Sequence, residues 1–167
     1  MPSTGSRVAP ARLRRARRVT AEPPTPGAGA AGAPLTWTFD WDAHPGLLLV
    51  RVAGSIQRSS LAALRLDILA QPRIAGVRGY IIDFRGGDIT PLTPADVRSL
   101  AAADATEPSG AQLPRAFVVS DAQAVGLASV YLGHMRGRDA PVSVNAFTTV
   151  EAALDWLAPG AGGITPR

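Results

Sequence analysis

The feature that most constrains this chain is an alternation that begins abruptly at Leu35. From there to Leu157, short apolar runs take turns with segments of helical spacing, and most of the latter open on a side chain able to cap a helix. Such alternation predicts a parallel sheet, because a strand that returns beside its predecessor through a helix runs in the same direction. One pair departs from the pattern. Leu35-Thr36-Trp37-Thr38-Phe39-Asp40-Trp41 alternates apolar and polar residues at the period of a half-buried strand, and Asp42 to Gly46 supplies turn chemistry. Leu47-Leu48-Leu49-Val50-Arg51-Val52 follows as a more apolar strand, so these two segments read as a hairpin with the second nearer the sheet centre.

The helices announce themselves by their ends. Ser59 or Ser60 caps a helix through about Gln71, with Leu61, Leu64 and Ile68 on one face and Pro72 as the stop. Tyr80-Ile81-Ile82-Asp83-Phe84 is a short strand that runs into a loop, Arg85-Gly86-Gly87-Asp88. Thr93-Pro94-Ala95-Asp96 places a hydroxyl cap, a first-turn proline and a carboxylate at the positive end of a helix that continues through about Ala105. Ala116 to Ser120 is the next strand, and Asp121 caps a helix with Val125, Ala128, Leu132 and Met135 on one face and Gly137 just past its end. Val142 to Phe147 is the last strand; Thr148-x-x-Glu151 opens a final helix with Val150, Leu154 and Leu157 inward. The expected fold is a single α/β domain, a mixed, mostly parallel five-stranded sheet with about four helices, in the order β-β-α-β-α-β-α-β-α.

Composition narrows the chemistry. The 167 residues suit one domain and include no cysteine, which excludes disulfides, thiolate metal sites and cysteine nucleophiles. Lysine is also missing, so all 17 cations are arginine and Schiff-base chemistry is excluded. The basic pI of 10.9 is misleading, because the charge is unevenly placed. Residues 1–34 carry six arginines against Glu22 alone, a net charge of +5, whereas residues 35–167 have a net charge of −1. A nucleic-acid-binding domain should instead line a folded surface with its cations.

Residues 1–34 also hold six prolines, four glycines and eight alanines with no aromatic residue, so a disordered leader is expected there. The body then spans 35–158 and a flexible tail 159–167. Arg14-Arg15 and Arg17-Arg18 suggest an export signal, but the following residues lack the apolar stretch of roughly 7–15 residues that such a signal needs. A cytoplasmic protein is expected. The leader is either a basic arm for weak contact with nucleic acid or anionic lipid, or the product of a start site placed too far upstream. No span approaches the roughly 18 apolar residues of a membrane helix.

Several motifs have plain readings. Gly27-Ala28-Gly29-Ala30-Ala31-Gly32 spells a dinucleotide fingerprint, but no strand precedes it and no helix opens from it. Asp40, Asp42 and His44 stand at alternate positions, as metal ligands would, yet sit in a predicted hairpin tip where such residues serve the turn. His134 lies near a helix C-terminus, where a cation suits the dipole. Trp37, Trp41 and Trp156 are read as packing residues. No cofactor or metal is expected.

The informative stretch is Asp83 to Thr90, at the carboxyl end of a central strand and just before a helix start, the edge where open α/β sheets dock ligands and partners. Asp83, Arg85, Asp88 and Thr90 are the candidate binding residues: carboxylates to position a ligand, a guanidinium to pair with an anion. The alternative is local: Gly86-Gly87 allows a tight turn, Asp88 satisfies turn amides and Arg85 pairs with a neighbour.

The chain resembles bacterial SpoIIAA-like proteins, a branch of the STAS fold also compared with CRAL-TRIO lipid-transfer domains. The resemblance covers about Leu35 to Leu157 and is carried by Val52-Ala53-Gly54, Tyr80 to Arg85, Asp88-Ile89-Thr90-Pro91, Thr93 to Arg98, Ala116 to Asp121, Gly126-Leu127-Ala128 and Glu151 to Leu157 in that order. It implies a compact four-helix, mixed-sheet domain with no catalytic residues of its own, acting through a protein partner. A carrier or sensor of a small apolar ligand or lipid is the alternative. A third reading is an anti-sigma-factor antagonist with a phosphorylatable Thr, with Thr90 and Thr93 as the hydroxyls in the comparable neighbourhood. In that group the hydroxyl follows the strand-end Asp by about two residues, and here Arg85 holds that place. An enzyme using Asp83 or His134 as a base is the least favoured, since no nucleophile, base and orienting group are evident together.

Overall fold

The computed structural model describes residues 32–106, 113–137 and 143–158. The expected flexible tail, and nearly all of the expected disordered leader, lie outside the described residues. Five strands, β1 (Thr36–Asp40), β2 (Leu47–Ser55), β3 (Gly79–Asp88), β4 (Arg115–Val118) and β5 (Val144–Phe147), form one sheet in the order β1-β2-β3-β4-β5. β1 pairs antiparallel with β2, and every later pairing is parallel. The helices are α1 (Arg58–Ala70), α2 (Pro94–Ala105), α3 (Ala122–Arg136) and α4 (Val150–Leu157), with a short helical turn at Ile74–Gly76. This is the single α/β domain, and the element order, that the sequence predicts.

Strand order decides where the helices go. Three successive crossovers that step the same way across a sheet put their helices on one face. Accordingly Leu64 and Ile68 of α1, Val97 and Ala101 of α2, and Leu127, Tyr131 and Met135 of α3 pack with Leu48, Val50, Val52, Tyr80, Ile82 and Phe117 of the sheet. The opposite face, Leu47, Leu49, Ile81, Ala116 and Val118, meets only Ala153 and Leu157 of α4 among the buried residues. β2 is covered on both faces, which is why it reads as an unbroken apolar run. Trp37 and Trp41 pack against the larger cluster and Trp156 against the smaller, as packing residues should. The Trp37 indole also donates to Asp67 Oδ2 at 2.6 Å, tying β1 to α1.

Local details correct five expectations. β3 does not end at Phe84 but runs on to Asp88, so the anticipated loop is strand. The register passes from Arg51↔Asp83 to Ala53↔Gly86, giving β3 one residue more than β2 over that step, a bulge. Gly86 and Gly87 are there for close approach rather than for a turn. A Cβ on Gly86 would lie 2.6 Å from the Val52 carbonyl oxygen, and one on Gly87 would collide with the Ile56 side chain. The cap of α1 is Gln57, not Ser59 or Ser60; Ser60 sits at the third helical position and its Oγ accepts from the Gln57 amide. On α3 the buried face is Ala124, Leu127, Ala128, Tyr131 and Met135, leaving Val125 43% exposed. α4 is capped by Thr149, whose hydroxyl accepts from the Ala152 amide, one residue beyond the predicted Thr148. The caps Thr93 and Asp121 stand where predicted.

Candidate functional site

The bulge in β3 sets the geometry at the strand ends. Asp83 is buried where β3 makes its last pairing with β4, and the bulge that follows turns Arg85 back onto it. The guanidinium grips the carboxylate through two bonds, Nε to Oδ1 at 2.9 Å and Nη2 to Oδ2 at 2.8 Å, and the Arg85 amide adds a third at 3.2 Å. The hydrogen bond to Asp83 is the main cause of the raised Arg85 pKa; burial opposes it, and the charges of Asp83 and Glu151 add to it. Five residues on, Asp88 accepts from the Thr90 amide at 3.0 Å. Hydrogen bonds from the Thr90 side chain and then its amide draw the Asp88 pKa below the ordinary 3.8. Thr93 Oγ1 donates to Asp96 Oδ2 at 2.6 Å and accepts from the Asp96 amide, closing a reciprocal cap. The four candidate residues thus form two neighbouring local pairs, Asp83 with Arg85 and Asp88 with Thr90. Both candidate hydroxyls are exposed and each meets a carboxylate, Thr90 that of Asp88 and Thr93 that of Asp96.

The same segment has a second side. Phe84, Ile89 and Leu92 turn inward and form part of the wall of a cavity of about 110 Å³ between the sheet and α1–α3. Other walls come from Leu64, Ile68, Ile82 and Leu127, and the space exists because α2 packs closely on α3 but only lightly on α1. The interior is not purely apolar. Arg65, Asp104, Arg115 and Tyr131, from α1, α2, β4 and α3, also line it. Arg115 Nη1 donates to Asp104 Oδ2 at 2.9 Å, Arg65 Nε lies 2.5 Å from Asp104 Oδ1, and the Tyr131 hydroxyl donates to Asp104 Oδ2. The Arg115 guanidinium sits over the Tyr80 ring at 5.6 Å. Burial, above all, pushes the Tyr131 phenol well above its ordinary 10.0, with the Asp104 carboxylate adding to it, so Tyr131 stays a neutral donor.

The sequence reading missed this cluster, although a signal exists. Asp104 falls on the stripe of Val97 and Ala101, and Arg115 shares a strand face with Phe117, so two charges occupy core-facing positions. The hairpin-tip residues do what turn residues do. Asp40 accepts from the amides of Asp42 and Ala43 and from Arg51, while Asp42 pairs with Arg73. Among the described residues no group of three or more His, Asp or Glu side chains could hold a metal ion, and no helix is long and apolar enough to cross a membrane.

No protein-family model matches the chain, and no curated protein matches it. Among solved structures it is similar to an anti-sigma factor antagonist from Mycobacterium paratuberculosis, at 20% identity over 74% of this chain and 95% of that one, with a TM-score of 0.44. It is also similar to an uncharacterised protein with a SpoIIAA-like fold from Shewanella loihica, at 15% identity over 79% of this chain and 98% of that one, with a TM-score of 0.42. A STAS-domain antisigma-factor antagonist from Rhodobacter sphaeroides follows at 11% identity over 72% of this chain and 90% of that one, with a TM-score of 0.28.

Proposed function

We propose that this chain is a non-catalytic regulatory domain that senses a small, mainly apolar ligand held between the sheet and α1–α3, and meets a protein partner through the segment from Asp83 to Thr93. The observation that carries the reading is the two-sidedness of that segment. Its apolar side chains, Phe84, Ile89 and Leu92, belong to the cavity wall, while Arg85 and Thr90 face solvent and Asp88 lies partly exposed beside them. A ligand that presses on the inner side chains moves the outer ones, because packed interiors transmit displacement. The polar groups at the strand end pair with one another, which favours a recognition surface over a reacting centre.

Two measurements test this. Native mass spectrometry of freshly purified protein is expected to show added mass, and filling the cavity with Leu100→Trp is expected to abolish it. Co-purification is expected to yield a protein partner whose capture is lost when Arg85 and Asp88 are both replaced by alanine. Capture that survives the double replacement overturns the proposed surface, and repeated absence of added mass overturns the proposed ligand site. Both threonines are exposed, and the antagonist reading with a phosphorylated Thr is tested at Thr90, because Thr93 also serves as the cap of α2. Thr90→Glu is then expected to release the partner, and retention of the partner would count against that reading.

A further inference from the structure

We infer that the ligand of this cavity is a compact uncharged molecule with a mostly hydrocarbon skeleton, the size of one ring or of a chain of roughly six carbons. The inference rests on the reading of the cavity as a ligand site and names the size and charge of its occupant.

Volume sets the first limit. At about 110 Å³ the space is somewhat smaller than an engineered apolar cavity of ~150 Å³ that takes benzene. One ring or a short chain fills it, and the long acyl chain of a membrane lipid does not fit inside.

The walls set the second. The surface that the cavity presents is almost wholly apolar, and Leu64, Ile68, Ile82, Leu92, Phe117 and Leu127 contribute to it. A carboxylate or an ammonium brought there leaves its water and meets hydrocarbon, a cost that contact with these walls does not offset. The polar side chains of the lining do not change this, because Arg65, Arg115 and Tyr131 converge on the Asp104 carboxylate. Filling the space is favourable in itself. Wall atoms beside a void lack dispersion partners, and a compact hydrocarbon skeleton restores them with no charge to desolvate.

The surroundings agree. Leu61 of α1 and Leu100 of α2 are half-buried lining residues on two helices that pack lightly on each other, so a way in between them is bordered by leucine. On the sheet side, Phe117 meets Phe84 edge-on at 5.7 Å and Tyr131 at 5.1 Å. A guest against Phe117 therefore bears on a ring that touches the segment from Asp83 to Thr93.

The test is isothermal titration of the full chain with two pairs of probes, toluene against benzoate for charge and 1-hexanol against 1-decanol for size. Toluene is expected to bind with a Kd below about 1 mM and at least about tenfold tighter than benzoate. Decanol is expected to bind no tighter than hexanol, although a longer chain ordinarily strengthens apolar binding. Benzoate binding as tightly as toluene, or decanol binding much more tightly than hexanol, would overturn the inference while leaving the ligand-site reading in place. No binding by any of the four would overturn the inference, and with native spectra free of added mass the ligand site as well. Methyl NMR of the unaltered chain places the guest. Toluene is expected to shift the resonances of Ile68, Ile82 and Leu92, and shifts confined to other methyl groups would overturn the inference. Leu100→Trp, checked by circular dichroism for a native fold, is expected to abolish toluene binding, and the NMR result holds even if that variant fails to fold.

Discussion

Thr93 shows how much one side chain settles at the residue scale. Four amides at a helix start have no partner in the helix, and here the hydroxyl takes the Asp96 amide while the Asp96 carboxylate takes that of Thr93. Thr93→Ala is expected to cost about 1 kcal/mol in urea denaturation, the usual loss for a removed hydroxyl cap. At Asp88 the same chemistry appears as a titration. The hydrogen bonds from Thr90 favour the ionised carboxylate, so the folded-state pKa lies below 3.8. A depressed carboxylate pKa contributes stability that is present above the unfolded value and is lost as pH falls through the folded one. Thr90→Val removes the hydroxyl bond, so NMR titration is expected to find the Asp88 pKa raised toward 3.8 and the acid-side loss of stability reduced. An unchanged Asp88 titration would show that the amide alone holds it.

At the scale of elements, the bulge in β3 is the feature with consequences. It lengthens the strand past Phe84, brings Arg85 back over Asp83 and lets Phe84 and Ile89 reach the cavity wall. Its glycines are a steric requirement, since Gly86 lies against the Val52 carbonyl. Gly86→Ala is therefore expected to destabilise the fold by about 1–3 kcal/mol, as overpacking does, and to broaden the amide resonances of β2 and β3 around the bulge. A stability equal to the parent's would mean that the bulge relaxes without strain. The reason for those glycines lies about thirty residues away in β2, which explains why Arg85 to Asp88 reads as a turn in isolation. Thr93-Pro94-Ala95-Asp96 and Asp121 were legible because a cap and its partners are neighbours in sequence. The caps of α1 and α4 were misplaced by one to three residues for a related reason. Several polar residues stand in a row at each, and the path of the preceding strand selects which one becomes the cap.

The whole molecule assembles what no segment carries. Arg65, Asp104, Arg115 and Tyr131 come from four different elements, and only the stacking of α1–α3 on one sheet face makes them neighbours. Their joint meaning was invisible in sequence, where each is an ordinary residue, although their core-facing positions marked Asp104 and Arg115 as out of place. Two substitutions test what the cluster contributes to stability. Asp104→Ala removes the carboxylate that Arg65, Arg115 and Tyr131 share, and it is expected to cost about 3–5 kcal/mol in urea denaturation. Replacing the cluster together by Arg65→Met, Asp104→Leu, Arg115→Met and Tyr131→Phe removes the desolvated charges and the orphaned hydroxyl at once. That chain is expected to be as stable as the parent to within about 1–2 kcal/mol, because apolar side chains of similar volume commonly match a buried ion cluster. A quadruple variant that unfolds would make the cluster a structural necessity of this sheet and its three helices.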